Sequence, residues 1–186
     1  MTKRYSPIAA TVRQSLCHAN GRSSRELFIC GTTSQSSRKF VKEADKRGTP
    51  VFSLPLELAW NPDFTPGAAE AISQRVVAAY AAAPRVILNV GLPPVRAAAV
   101  ARRLSDHLVE IAGLVLRRVE VGHVYAEGGA TAAELVRRMG WSRLNTLAEP
   151  APGVALLAIE GNPAQLLAVK PGTYAWPEEW TGARIM

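Results

Sequence analysis

Apolar positions along the chain form short dense runs separated by longer stretches with three-and-four spacing. Glu26–Cys30, Thr49–Leu54, Arg85–Val90 and Val124–Ala126 are β-prone, and each is followed within a few residues by glycine or proline or by a polar turn. The stretches between them predict helices: Ser36 to Arg47 with Gly48 just beyond its end, Ala68 to Ala83, and Val95 to about Val119. In the last of these, Val100, Leu104, Leu108, Ile111 and Val115 recur every three or four residues and make one amphipathic face. After Trp141 the pattern changes. Leu144–Leu147, Val154–Ile159 and Gln165–Val169 predict short strands, joined by the turn-rich Pro150–Gly153 and Glu160–Pro163.

Strands alternating with helices predict an α/β fold: a three-layer, open, mostly parallel sheet with helices on both faces and a short β-rich C-terminal part. Residues 1–25, polar and mixed, are expected to be a flexible or loosely packed lead to a single domain spanning 26–186. Asn61–Gly67 is expected as a connecting loop.

The most informative segment is His123–Leu135. A strand runs into Gly128 and Gly129, and Thr131 stands three residues before Glu134 at the head of a helix ending near Met139. That spacing predicts a capping box with Thr131 as the cap. A strand turning straight into a helix offers unpaired amides and the positive end of the helix dipole, both of which favour a phosphate. The same pattern also serves as a plain capped turn, and neither a P-loop nor Gly-x-Gly-x-x-Gly is present. In an open parallel sheet, ligands sit beyond the carboxyl ends of the strands. Three loops leave such ends: Gly31–Ser37, Gly91–Pro94 and Glu127–Thr131.

Composition narrows the partners. Nearly half the residues are apolar (48%), enough for a core in a chain of 186 residues, yet no run approaches the ~18 apolar residues of a transmembrane helix. The basic start Met1–Pro7 has no apolar stretch after it and does not predict a signal peptide. Cys17 and Cys30 make neither a disulfide framework nor a zinc spacing, so a cytoplasmic location is expected. The formal charge of +7 suits nucleotides, acidic metabolites or nucleic acid. The cations come as pairs on helical stretches (Arg102-Arg103, Arg117-Arg118, Arg137-Arg138) with no aromatic-studded basic strand, which argues against nucleic acid.

Four segments, in order, resemble the C-terminal nucleotide-binding domain of the four-carbon acid sugar kinase family. Gly31-Thr-Thr-Ser-Gln-Ser-Ser37 is similar to the family's Gly-Ser-x-Ser-x-x-Thr loop, and Glu127-Gly-Gly-Ala-Thr-Ala132 to its Gly-Gly-[Asp/Glu]-Thr-[Ala/Ser] loop. Glu149-Pro-Ala-Pro-Gly-Val154 resembles its Glu-x-x-Pro-Gly-Val segment, and Lys170-Pro-Gly-Thr-Tyr174 its Lys-x-Gly-x-Phe-Gly ending. The resemblance implies ATP with Mg²⁺, and phosphoryl transfer to a sugar-acid hydroxyl. It implies that Thr32 and Ser34 contact the nucleotide, and that Gly128, Gly129, Ala130 and Thr131 cradle its phosphates. It brings Gly172 close to the nucleotide, and gives Lys170 either a phosphate or the end of an edge strand.

Two departures stand out. Ala130 occupies the family's acidic position, leaving Glu127 as the nearest carboxylate for a Mg²⁺-associated role or as a loop residue facing water. Tyr174-Ala175 replaces Phe-Gly. The family's N-terminal half, with its Asp-Asp substrate site, is not in this chain. The resemblance therefore implies a partner, either an acid-sugar-binding domain or subunit or a second copy of the chain, with no membrane involved. His18, His107 and His123 are expected to be structural, not catalytic. A non-catalytic nucleotide-binding or regulatory module and a basic interaction module are the competing readings.

Overall fold

In the computed structural model, residues 25–55, 66–91 and 97–182 are described. The expected lead (save Arg25), most of the Asn61–Gly67 loop and most of the Gly91–Pro94 loop lie outside the described residues. The elements run β1 (Glu26–Cys30), α1 (Gln35–Lys46), β2 (Val51–Ser53), α2 (Pro66–Ala79), β3 (Arg85–Asn89), α3 (Ala98–Leu116), β4 (His123–Glu127) and α4 (Gly129–Met139). Then follow β5 (Leu144–Ala151), β6 (Val154–Ile159), β7 (Asn162–Lys170) and the short α5 (Glu178–Thr181).

All seven strands form one sheet in the order β2-β3-β1-β4-β7-β6-β5. The first five in that order are parallel; β6 and β5 close the far side as an antiparallel meander. The α/β fold with a β-rich C-terminal part is thus present. β6 has the expected span, while β5 and β7 are longer than their apolar runs predict. β5 continues through Pro150, tolerated because β5 is an edge strand and its pairing with β6 is irregular there.

Alternation within the strands divides the core. Leu27, Ile29, Val86, Leu88, Val124 and Ala126 face α2, α3 and α4. Phe28, Cys30, Ile87 and Tyr125 face the other way, against Phe40 and Ala44 of α1 and against Trp176 and Trp180. The second layer is thin but aromatic. The Phe28 and Tyr125 rings stack with centroids 4.0 Å apart, and Trp176 meets both edge-on at 5.8 and 5.6 Å. At the amino ends of the strands, Glu26 accepts from Arg85 Nε and from Tyr125 Oη.

The chain leaves β1 on the α1 face and leaves β4 on the opposite face through α4. Neighbouring strands whose exits diverge in this way open a crevice at their carboxyl ends.

Phe28 is fully buried and joins three aromatic rings. Phe28→Ala is expected to lower unfolding free energy by about 3–5 kcal/mol, the usual cost of emptying such a site. Urea denaturation followed by tryptophan fluorescence measures it; a loss below about 1 kcal/mol would show that this layer collapses to fill the gap.

Candidate functional site

Register places the last residue of every parallel strand in one row. Ser53 pairs with Asn89, Asn89 with Cys30, Cys30 with Glu127, and Glu127 with Lys170. All five lie on the α1 face of the sheet, at its carboxyl edge. The edge is therefore polar while the strands beneath it are apolar.

The centre of the row is an ion pair. Lys170 Nζ lies 3.0 Å from Glu127 Oε2, with the side chains 1% and 0% exposed. Neither carboxylate oxygen has a well-directed hydrogen bond, so the contact is one of charge. Burial pushes the Glu127 carboxyl above its ordinary range, opposed by Lys170 and then by the nearby Ser37 and Trp176. Lys170 also sits over the Trp176 ring, 4.9 Å from its centroid. Burial, and then the Glu127 charge, push the Cys30 thiol up, so it stays protonated.

Three loops meet above this row. Gly31 N donates to Glu127 O at 3.1 Å and Gly128 N to Lys170 O at 2.9 Å. Ser34 and Ser36 both donate their hydroxyls to Gly172 O, and Ser36 also reaches Tyr174 O at 3.3 Å. Two glycines allow the close approach. A Cβ on Gly31 would lie 1.9 Å from Thr131 Oγ1, and one on Gly172 would lie 2.5 Å from Thr32 Oγ1.

The residues singled out in the sequence therefore meet at one edge, but most hydroxyls among them are already engaged. Ser34 caps α1, accepting from Ser37 N at 3.2 Å while donating to Gly172 O. Thr32 Oγ1 accepts from Ser34 N at 3.1 Å. Thr131 is buried and shares a hydrogen bond with Ser105 Oγ at 2.9 Å. The expected capping box is not formed: α4 begins at Gly129, its cap position is Gly128 at φ 99°, and no side chain caps it. Glu134 instead binds Arg137 and approaches Arg138 at 3.6 Å. Thr131 lies inside the helix because Gly128 can turn the chain earlier.

Gly129 and Ala130 are exposed, and a Cβ on Gly129 would meet nothing within 4 Å. Ala132 N makes the first helical bond, to Gly128 O at 2.9 Å. The amides of Gly129, Ala130 and Thr131 precede it and have no helical acceptor. His123 begins β4 at the opposite end of the sheet and His107 lies along α3.

On the α1 side of the same edge, a cleft of about 570 Å³ lies between α1 and the ends of β2 and β3. The sequence reading missed it, along with the polar row. The available signal was that the apolar run of four of the five parallel strands gives way to a polar residue: Ser53, Asn89, Glu127 and Lys170.

These features define a class: an open α/β domain whose ligand crevice lies at the carboxyl ends of parallel strands. A family model for the nucleotide-binding C-terminal domain matches residues 27–174. The chain belongs to that family, the C-terminal domain of four-carbon acid sugar kinase-type proteins. The fold is shared with a DUF1537 protein from Bordetella bronchiseptica, solved with bound citrate as a domain-swapped dimer. The two are 19% identical with a TM-score of 0.63, over 82% of this chain and 38% of that one. A Haemophilus influenzae DUF1537 protein is 21% identical with a TM-score of 0.65, over 87% of this chain and 40% of that one. The chain thus spans about two fifths of these structures. No curated protein matches it. No helix among the described residues is long and apolar enough to cross a membrane.

The buried pair yields a test. Lys170→Met leaves the Glu127 carboxylate without a counter-charge and is expected to cost about 3–5 kcal/mol at neutral pH. The raised carboxyl favours the protonated form in the folded state, so stability falls as pH rises above the ordinary value of 4.5. The deficit of Lys170→Met should accordingly shrink as pH is lowered towards 4.5. Glu127→Gln with Lys170→Met should cost less than the two single changes added together. Urea denaturation at several pH values reads all three; a pH-independent deficit would mean that the carboxylate is not the cause.

Proposed function

We propose that this domain binds ATP at the carboxyl ends of β1 and β4, with the polyphosphate against the first turn of α4. On this reading it is the nucleotide-holding half of a sugar-acid kinase. The observation that carries the reading is the open N-terminus of α4: three amides without helical acceptors, an exposed Gly129 and Ala130, and no capping side chain. Such amides donate to phosphate oxygens, and the helix dipole adds to the attraction. The family match supports a nucleotide as the ligand.

Gly128, Gly129 and Ala130 would then contact phosphate through the backbone. Thr131 would contribute its amide, since its hydroxyl is held by Ser105. Thr32 accepts from Ser34 N and keeps its hydroxyl proton for the ligand. Ser34 and Gly172 act by fixing the loops to each other. Mg²⁺ would arrive with the phosphates, as it commonly does. Glu127 is buried against Lys170, and no group of three metal-binding side chains occurs among the described residues, so no step is assigned to the metal.

Phosphoryl transfer also needs a positioned acceptor and a base for its hydroxyl. Those would come from an acid-sugar-binding half, supplied by a partner subunit or domain, with this chain in the cytoplasm. The second reading, a nucleotide-binding module without catalysis, is favoured by Ala130 standing at the family's acidic position.

Calorimetry with ATP tests the proposal. Gly129→Asp is expected to weaken ATP by at least about tenfold, or 1.4 kcal/mol. The same change should leave melting unchanged or raise it, because a carboxylate in a helix's first turn is worth about 0.3–1 kcal/mol. Unchanged ATP affinity would displace the phosphate site, and a wild-type chain that binds no ATP would end the nucleotide reading. ADP formation dependent on a tetronate, once an acid-sugar-binding half is supplied, separates the kinase from the silent module.

A further inference from the structure

The arginine pairs Arg117-Arg118 and Arg137-Arg138 stand at the ends of α3 and α4, and each pair is split. Arg118 reaches across to α2, where it donates to Glu70 at 2.7 Å and to the Ser73 hydroxyl. Arg137 holds Glu134 through two donors. The other member of each pair turns to a shared notch. A Cβ on Gly113 of α3 would lie 3.4 Å from Arg117 Nη1 and 3.5 Å from Arg138 Cδ. The bare glycine leaves a place on the helix where both side chains converge. The two helices run side by side to this point: Ser105 meets Thr131 near their beginnings, and Gly113 meets Arg138 near their ends. They stop shortly before β4 and β5 begin, at the amino edge of the sheet and opposite the loops of the carboxyl edge.

Charge at the notch is unbalanced. Arg117 is exposed and has no ion-pair partner among the described residues; Glu110, on the same face of α3, makes none with it. Arg138 is exposed too, and the carboxylate it approaches, Glu134 at 3.6 Å, is already held by Arg137. Among the described residues, Glu134 is thus the only carboxylate set against three arginines. Two like charges held over one residue repel, and anionic groups placed beside them would remove that repulsion.

The surroundings select the kind of anion. The carbonyl ends of α3 and α4 carry the negative ends of their helix dipoles here, which disfavours a compact, doubly charged phosphate. Single carboxylates spread along an extended chain suit the site better, because each guanidinium can take one carboxylate through two parallel donors. An apolar partner has no foothold. The large hydrophobics exposed among the described residues are Leu147 and Tyr174, on β5 and in the loop after β7.

We infer that the notch over Gly113 is a docking point for an acidic protein segment, with Arg117 and Arg138 each pairing with a carboxylate side chain of that partner. Attachment through exposed charges of this kind is fast and salt-sensitive. It leaves the carboxyl edge of the sheet open, so a nucleotide there and a docked partner do not compete.

The test adds three probes to the full chain at low salt: a fluorescent poly-glutamate peptide, a phosphoserine peptide of otherwise neutral sequence, and inorganic phosphate. Arginine Nε signals in ¹⁵N NMR spectra locate each probe, and fluorescence anisotropy measures the affinity of the glutamate peptide. That peptide is expected to shift the Nε signals of Arg117 and Arg138 more than those of Arg75 and Arg102. Arg117→Ala and Arg138→Ala should each weaken it by about fivefold, whereas Lys39→Ala, which removes a cation from α1, should weaken it by no more than about twofold. Equal losses in all three variants would mean that the overall positive charge holds the peptide, and would remove the docking point. Failure of the peptide to bind at low salt would do the same. Larger Nε shifts with the phosphoserine peptide or with phosphate than with the glutamate peptide would give the notch to a phosphoryl group and overturn the acidic segment.

Discussion

The buried pair of Glu127 and Lys170 is the constraint on which the carboxyl edge of this sheet depends. Two charges taken out of water are costly unless they stay together. Here they end neighbouring parallel strands at matched positions, so the backbone register itself keeps them adjacent. They also sit where the sheet changes character. Beyond β7 the pairing is antiparallel, and a slip of β7 by one residue would turn Lys170 to the opposite face. The same register allows Gly128 N to reach Lys170 O, which sets the turn that opens α4. Trp176 folds over the pair from the following loop and joins the aromatic layer beneath α1. Ion pair, turn and aromatic layer are thus parts of a single arrangement.

The centre of the sheet was legible in the sequence because β1, β3 and β4 are short and buried on both faces. A run such as Leu27-Phe-Ile announces a strand, and its alternation assigns Leu27 and Ile29 to one layer and Phe28 to the other. The extents of β5 and β7 were less legible, since hydrogen bonds to β6 carry them past their apolar residues. The role of Thr131 was misread for a physical reason. Its spacing to Glu134 satisfies the capping pattern, but a capping pattern describes only neighbours in sequence. Ser105, twenty-six residues away, takes the Thr131 hydroxyl, and the arginines of α4 take Glu134.

The hydroxyl-rich loops illustrate the same limit more sharply. Serine and threonine beside glycine can bind a phosphate or bridge one loop to another, and local sequence does not distinguish the two. The partner that decides the matter for Ser34 and Ser36 is a carbonyl more than 130 residues onward. Their hydroxyls hold the first and last loops together over the polar row. What remains open at the edge is backbone: the amides that begin α4. The glycines flagged in the sequence matter there for two different reasons. Gly128 supplies the positive φ, while Gly31 and Gly172 leave room for threonine side chains.

This division bears on the missing acidic residue at Ala130. An aspartate or glutamate there would stand on the first turn of α4 and oppose a polyanion even as it offered a metal ligand. With alanine, and with the Glu127 charge matched by Lys170, the entrance to α4 carries only the positive end of the helix dipole. A phosphate chain would meet less repulsion, and any divalent cation would depend more on the phosphates and on groups outside this chain. Binding and catalysis would then separate physically. The domain would retain what is needed to hold a nucleotide, while the carboxylates that organise metal and acceptor would belong to the partner half.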